Sequence, residues 1–322
     1  MPTSLALVAD IGGTNTRVAL ADGKVVRPTS IRRYANSEFS SLEPVLARYM
    51  AEEGLHAVDG VCVAAAGPVR DGVAVMTNLS WVIDAALLIR ATNASQTAIL
   101  NDLQAQGHAL GHIAPEYLRV LIPGTQAPGA AMLVVGVGTG MNAAPVHDTP
   151  KGRLVAASEC GHISMPVQTA QDFRLSEFVA HKVANAHGYA GVEDVLAGRG
   201  LEHVHLFTTT EAGQPQDLKA ADIMAALAAG DPLAVETAKL YMHLLGQELG
   251  NLALVHLPFG GIYLIGGVAR AMVPYMDEMN LASAFRTKGR FAEFMQSFAV
   301  FAVEDDFAAL TGCAAYLATG GT

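Results

Sequence analysis

A chain of 322 residues with a formal net charge of −10 is long enough for two domains, each with its own core, and it carries no basic footprint for nucleic acid or an anionic membrane. Its three cysteines, Cys62, Cys160 and Cys313, are odd in number and widely spaced, so they read as reduced thiols of a cytosolic protein rather than as a disulfide framework or zinc site. Two long uncharged stretches, 120–147 and 249–269, are broken by Pro123, Gly124 and Pro128 and by Pro258 to Gly261, so neither reads as a spanning helix; without a signal-like leader the expected location is the cytoplasm.

The first apolar run, Leu5 to Ala9, ends in Asp10-Ile11-Gly12-Gly13-Thr14-Asn15-Thr16-Arg17 and resumes at Val18-Ala19-Leu20, which predicts a β-hairpin with an unencumbered turn. Glycine removes the Cβ that keeps an anion at a distance. Backbone N–H groups there, with the side chains of Thr14, Asn15 and Thr16, can therefore line a phosphate, and Asp10 at the strand end could hold a hydrated divalent cation beside it. The same residues also suit an ordinary hairpin. Strands near 25–34, 60–65 and 97–101, with helices near 40–54, 84–91 and 103–111, describe a first α/β domain. The run Ala98-Ile99-Leu100 delivers Asn101 and Asp102 to a strand end, where a carboxylate can act as general base; capping the next helix is the competing role.

Beyond Pro115 and a Gly/Pro-rich segment at 123–130, the run Met132 to Val135 leads into Gly136-Val137-Gly138-Thr139-Gly140. Aligning Asp10 with Gly136 superposes Gly12 on Gly138, a weak internal repeat that suggests a duplicated α/β architecture with a cleft between its halves. Strands near 132–137, 142–147 and 153–156 precede a mainly helical region, with helices at 172–187, 219–229 and 232–256; Asp231-Pro232 supplies an N-cap and a first-turn proline for the last. Glu159, His162 and Glu193 form a polar set suited to the hydroxyl edges of a sugar, which both donate and accept. Their spacing is not that of a helical metal site, and His181, His187, His203 and His205 read as surface or helix-end histidines. A strand at 262–266 closing on Gly266-Gly267, a helix from about 268, a strand near 298–303 and a helix at 307–318 complete the chain.

Taken in order, Asp10-Ile-Gly-Gly-Thr-Asn15, Leu100-Asn-Asp102, Gly136-Val-Gly-Thr-Gly140, Glu159-Cys-Gly-His162, Glu193-Asp-Val-Leu-Ala-Gly198 and Gly260-Gly-Ile-Tyr-Leu-Ile-Gly-Gly267 resemble the bacterial glucokinase family of the actin-like sugar-kinase superfamily. Smaller matches lie at Thr77-Asn78 with Trp81, at Gly250-Asn251-Leu252-Ala253-Leu254 and at Lys288-Gly289-Arg290-Phe291. The resemblance implies an α/β, two-domain actin-like (ribonuclease H-like) sugar-kinase fold with an interdomain cleft. It divides the chain into 1–112 plus 304–322 and 113–303, the last helix crossing back to the N-terminal domain. The implied reaction is ATP-dependent, magnesium-requiring phosphorylation of the 6-hydroxyl of glucose, with Asp102 as base. Asn101 and Asp102 would face the 3-, 4- and 6-hydroxyls, with Glu159, His162 and Glu193 on the opposite edge. The nucleotide would lie on Asp10, Gly12, Gly13, Thr14, Asn15, Gly138, Thr139, Gly140, Gly266 and Gly267, with Asp10 reaching Mg2+ through water. Expected partners are glucose and ATP, without nucleic acid or membrane, and a homodimer is left open.

Three departures from the family pattern stand out. Gly138-Thr139-Gly140-Met141-Asn142 replaces Gly-Thr-Gly-Leu-Gly, losing a glycine at a position where asparagine can tolerate a positive φ and bringing the backbone fit near the phosphates into question. Ser158-Glu159-Cys160-Gly161-His162 replaces Gly-Glu-Gly-Gly-His, and Phe307 to Gly312 replaces Asn-Pro-Gly-Leu-Leu-Gly before the last helix. Two alternatives remain. One is a kinase of another hexose or amino sugar, whose family carries a cysteine-rich zinc motif of which only Cys160 lies nearby; the other is a catalytically silent sugar-sensing regulator on the same scaffold, against which stand the retained Asp10, Asp102 and phosphate turns and the lack of a helix-turn-helix before Leu5.

Overall fold

The computed structural model describes residues 4–76, 79–182 and 188–320. Thr77, Asn78 and His187 lie outside the described residues, as do the last five residues of the helix expected at 172–187. The chain divides into two compact units, Met1–Tyr117 with Asp148–Ala156 and Asp305–Thr322, and Leu118–His147 with Ala157–Glu304.

The first unit begins with β1 (Leu5–Ile11), β2 (Asn15–Asp22), β3 (Val25–Val26), β4 (Arg32–Ala35), helix α1 (Leu42–Glu52) and β5 (Gly60–Ala65). It continues with β6 (Val69–Arg70), β7 (Val73–Val75), β8 (Val82–Ile83), α2 (Ala85–Thr92), β9 (Gln96–Asn101) and α3 (Asp102–Ala109). The strand expected over 25–34 is broken, because Pro28 opens a 3-10 turn at Pro28–Ser30 between β3 and β4. The main sheet runs β3-β2-β1-β5-β9, with β4 also on β2; β1, β5 and β9 are parallel and β2 returns antiparallel. Parallel strands are buried on both faces, and period-two alternation divides their side chains between two cores. Leu7, Ala9, Ile11, Val61, Val63 and Ala65 pack with α1 and α2, while Ala6, Val8, Cys62 and Ala64 pack on the other side with residues of α3 and of α11 (Ala308–Ala318). Strands β6 to β8 form a separate small sheet.

The second unit holds β10 (Leu118–Ile122), β11 (Met132–Val137) and most of β12 (Met141–Thr149); β13 (Gly152–Val155) closes the hairpin whose tip groups with the first unit. Helices α4 (Ala170–Lys182), α5 (Glu193–Leu196), α6 (Gly198–Glu211), α7 (Ala220–Ala228) and α8 (Pro232–His256) follow. Then come β14 (Ile262–Ile265), α9 (Gly267–Met272), α10 (Leu281–Arg286) and β15 (Val300–Val303). The sheet order is β10-β15-β14-β11-β12-β13, so the hairpin-plus-parallel-strand pattern of β1, β2 and β5 recurs in β11, β12 and β14, as the glycine-turn repeat suggested. Helix α8 is buried nearly all round over residues 240–253, the polar Gln247 and Glu248 included, and the Tyr241 hydroxyl donates to the Leu196 carbonyl. Lys288 donates to Asn251 Oδ1 at 2.6 Å, bringing two of the family-like segments into contact.

Among the described residues, no helix is long and apolar enough to cross a membrane. His205 corrects the surface reading of the histidines. It is buried on α6, with Nδ1 2.9 Å from Thr237 Oγ1, because α6 packs that face against α8.

Candidate active site

In the first unit, Gly12 donates its N–H to the Asn15 carbonyl at 3.0 Å, closing the turn between β1 and β2. Asn36, only 3% exposed, clamps this turn: its Nδ2 donates to the Gly12 carbonyl at 2.8 Å, its N–H to the Thr14 carbonyl at 2.9 Å, and its Oδ1 accepts from Thr16 Oγ1 at 2.8 Å. Gly13 and Thr14 stay exposed, and Asn15 is half-buried. The turn is rigid underneath and open above. Asp10, at the end of β1, pairs with Arg17 of β2, one oxygen lying 3.2 Å from the guanidinium. Burial pushes the Asp10 carboxyl above its ordinary pKa, and Arg17 offsets only part of this.

Asn101 and Asp102 stand where β9 becomes α3. Asn101 caps the helix, its Oδ1 accepting from Leu103 N at 3.0 Å while Gln104 Oε1 accepts from its N–H at 3.1 Å. Its Nδ2 donates to the Gly67 carbonyl at 3.1 Å, tying the loop after β5 to this helix. Asp102 is left exposed. Although water reaches the side chain, the surrounding protein desolvates its charge, and with Asp10 nearby its pKa is pushed up to about 6 despite a hydrogen bond from Leu103 N. Capping and an outward carboxylate are thus shared between the two residues.

In the second unit, Gly138 donates to the Gly140 carbonyl at 2.9 Å in the turn between β11 and β12, and its own carbonyl accepts from Gly198 N at 2.8 Å. Gly266, at the end of β14, has φ +102°, and a Cβ there would run into the Val137 carbonyl. Only glycine lets β14 end so close to β11. Gly267 and Thr139 are exposed beside this junction. Gly140 is required by a different contact, since a Cβ would lie 2.6 Å from Glu193 Oε2. That oxygen accepts from Met141 N at 3.0 Å, while Glu193 Oε1 accepts from Arg199 at 3.2 Å.

Glu159 and His162 flank the 3-10 turn Cys160–His162, and both are exposed. Gly161 packs against the Cβ of Glu193, so these three candidate sugar-binding residues converge within the second unit. Asn142 is not in a positive-φ conformation; it is a regular β12 residue paired with Gly136. Its amide bonds instead to Ser158, Glu159 and Cys160. The last helix starts differently from the family pattern too, with Asp305 accepting from Phe307 N at 2.8 Å.

Sequence reasoning passed over Asn36, Arg17 and Arg199. None has a local signature, because each is 6 to 24 residues from the group it holds. Among the described residues, no cluster of three or more His, Cys, Asp or Glu could hold a metal alone. A magnesium ion delivered with a nucleotide needs only one or two carboxylates and keeps several waters. The poorly solvated Asp10, close enough to Asp102 to raise its pKa, fits that requirement.

Duplicated hairpin-and-parallel-strand sheets with glycine turns at their ends, beside outward carboxylates, define the actin-like sugar kinases. A glucokinase from an Antarctic psychrotroph aligns with a TM-score of 0.88 at 28% identity, covering 98% of each chain. At 22% identity, Balamuthia mandrillaris glucokinase in complex with glucose shares the fold, with a TM-score of 0.78 over 98% of this chain and 94% of that one. The chain belongs to the Glucokinase family, whose sequence profile matches residues 7–320. It is 30% identical over 312 residues to a glucokinase of Mesorhizobium japonicum, covering 96% of this chain and 90% of that protein.

Proposed function

We propose that this protein is a glucokinase that transfers the γ-phosphoryl group of ATP to the 6-hydroxyl of D-glucose. The observation that carries the reading is Asp102, an exposed carboxylate at a strand-to-helix junction whose pKa of about 6 leaves it ionised at neutral pH yet more basic than an ordinary aspartate. Such a group suits proton acceptance from an alcohol. As O6 bonds to the γ-phosphorus, its proton passes to Asp102 and ADP departs with the electrons of the broken P–O bond. Asn101, Glu159, His162 and Glu193 bind the remaining hydroxyls and fix the sugar's orientation. The turns at Gly12 to Asn15, Gly138 to Gly140 and Gly266-Gly267 hold the nucleotide. Magnesium, bound with ATP and held through water by Asp10, neutralises phosphate charge. In this reading the protein works in the cytoplasm.

A coupled assay of ADP release across glucose, 2-deoxyglucose, mannose and N-acetylglucosamine tests this. Glucose is expected to lead in kcat/KM. Losing a hydroxyl leaves a desolvated carboxylate unpaired, costing about tenfold or more, and a 2-acetamido group adds a clash. Preference for N-acetylglucosamine would move the protein to the amino-sugar kinases, and no turnover with any sugar would make it a silent sensor.

A further inference from the structure

The amide of Asn142 is the hub of the sugar-side turn. Its Oδ1 accepts from Cys160 N at 3.1 Å and from Cys160 Sγ at 3.4 Å, while Ser158 Oγ, 3.0 Å away, gives its one proton to the Ala143 carbonyl at 2.6 Å. Its Nδ2 donates to the Ser158 carbonyl and, at 3.3 Å, to Glu159 Oε2. The partners fix which end is which, because a backbone N–H can only donate while a carbonyl and a carboxylate can only accept. One residue earlier, Met141 N–H donates to Glu193 Oε2. Consecutive residues at the start of β12 thus hold the two carboxylates assigned to the sugar.

The two departures flanking this site also meet each other. Asn142 and Cys160 each stand where glycine was expected, and they are hydrogen-bonded through both the backbone and the thiol of Cys160. A glycine at 142 would leave the Ser158 carbonyl, Cys160 N–H and Glu159 carboxylate without these bonds.

We propose that Asn142 is a positioning residue for glucose recognition: it aims the Glu159 carboxylate at the sugar by donating to one of its two oxygens. The proposal rests on Glu159 binding glucose, as read above. An unheld carboxylate must be ordered by the substrate itself, so losing Asn142 weakens glucose binding while the phosphate turn at Gly138 to Gly140, closed by its own backbone, still takes ATP.

The test is a cycle of Asn142→Gly, Glu159→Ala and the double variant, with KM measured separately for glucose and ATP and folding checked by thermal melts. Each single variant is expected to raise the glucose KM about tenfold or more with the ATP KM within about twofold, and the double variant to be no worse than Glu159→Ala, which leaves Asn142 no acceptor at 159. Multiplying effects in the double variant would overturn positioning through Glu159, as would an unchanged glucose KM in Asn142→Gly. An unchanged glucose KM in Glu159→Ala would instead remove Glu159 from the sugar, a separate failure of the underlying reading. Asn142→Asp supplies a second readout if glycine loosens the strand. It keeps the acceptor for Cys160 N–H but sets a carboxylate against Glu159, so its glucose KM relative to the parent should fall as the pH is lowered and the pair takes up a shared proton. A pH-independent ratio would overturn the proposal.

Discussion

Replacing Asp102 by asparagine keeps its shape and removes its basicity. Turnover is expected to drop about 10²- to 10⁴-fold with glucose binding retained, as single-turnover kinetics and equilibrium titration would show. Activity within about tenfold of the parent would take the proton from another group. The pH dependence carries a definite sign: a base must be ionised, so kcat/KM should rise with pH through about 6 and then level, and this limb should disappear in Asp102→Asn. Stability moves the other way. A carboxyl whose folded pKa is raised favours the folded state below its unfolded value of 3.8, and that contribution is lost as pH climbs through 6. Asp102→Asn should therefore melt no lower than the parent at pH 8. At this scale the polar pair Asn101-Asp102 was legible because an apolar run delivers it to a strand end, whereas the clamp on Gly12 was not, since Asn36 lies 24 residues away with nothing local to mark it.

Glycines that look alike in sequence play different parts within the elements. At Gly138 an added Cβ would find no protein atom nearer than 3.9 Å, so Gly138→Ala should fold normally and weaken ATP binding, the methyl group standing where phosphate must approach. Gly266→Ala meets the Val137 carbonyl and a forbidden φ, and should cost roughly 1–3 kcal/mol or more of stability in denaturant titration. Equal stability loss in both variants would mean that the Gly138 turn is purely structural. The apolar runs and glycine corners that announced β1, β11 and β14 were readable because strands buried on both faces are apolar throughout. Helix α6 was hidden by Gly198-Arg-Gly200 at its start and Thr208-Thr-Thr210 at its end, residues of poor helix propensity that packing against α8 overrides. Strands β6 to β8, two or three residues each, are too short to display any alternation.

Across the whole molecule, acid stability has an identifiable source in Asp172. Burial opposes its charge, but the His243 ring 3.4 Å away, together with hydrogen bonds from the amides of Gln168 and Thr169 and from Gln247, prevails and holds its carboxyl well below the ordinary aspartate range. A depressed pKa stabilises the fold above the unfolded value of 3.8 and ceases to do so as pH falls further. Asp172→Ala is expected to cost roughly 3 kcal/mol at pH 7, and the difference from the parent should shrink in melts at increasingly acid pH. A second expectation concerns α11, which covers the Ala6, Val8, Cys62 and Ala64 face of the first sheet. A chain truncated after Glu304 should be cut rapidly by protease between Leu5 and Tyr117; resistance equal to that of the full chain would show that the sheet holds without its cover.

That arrangement sets a timetable for synthesis. Everything the first unit needs except the 148–156 segment and α11 leaves the ribosome early, yet α11 follows only after residues 118–304, most of them the second unit's, have been made. At ~5–20 residues per second, those intervening residues take roughly 10–40 s. Throughout that interval the alanine-rich sheet face has α3 but not α11 to cover it. The chain's yield in the cell is accordingly expected to respond to chaperone capture and translation speed as well as to the stability of the finished protein.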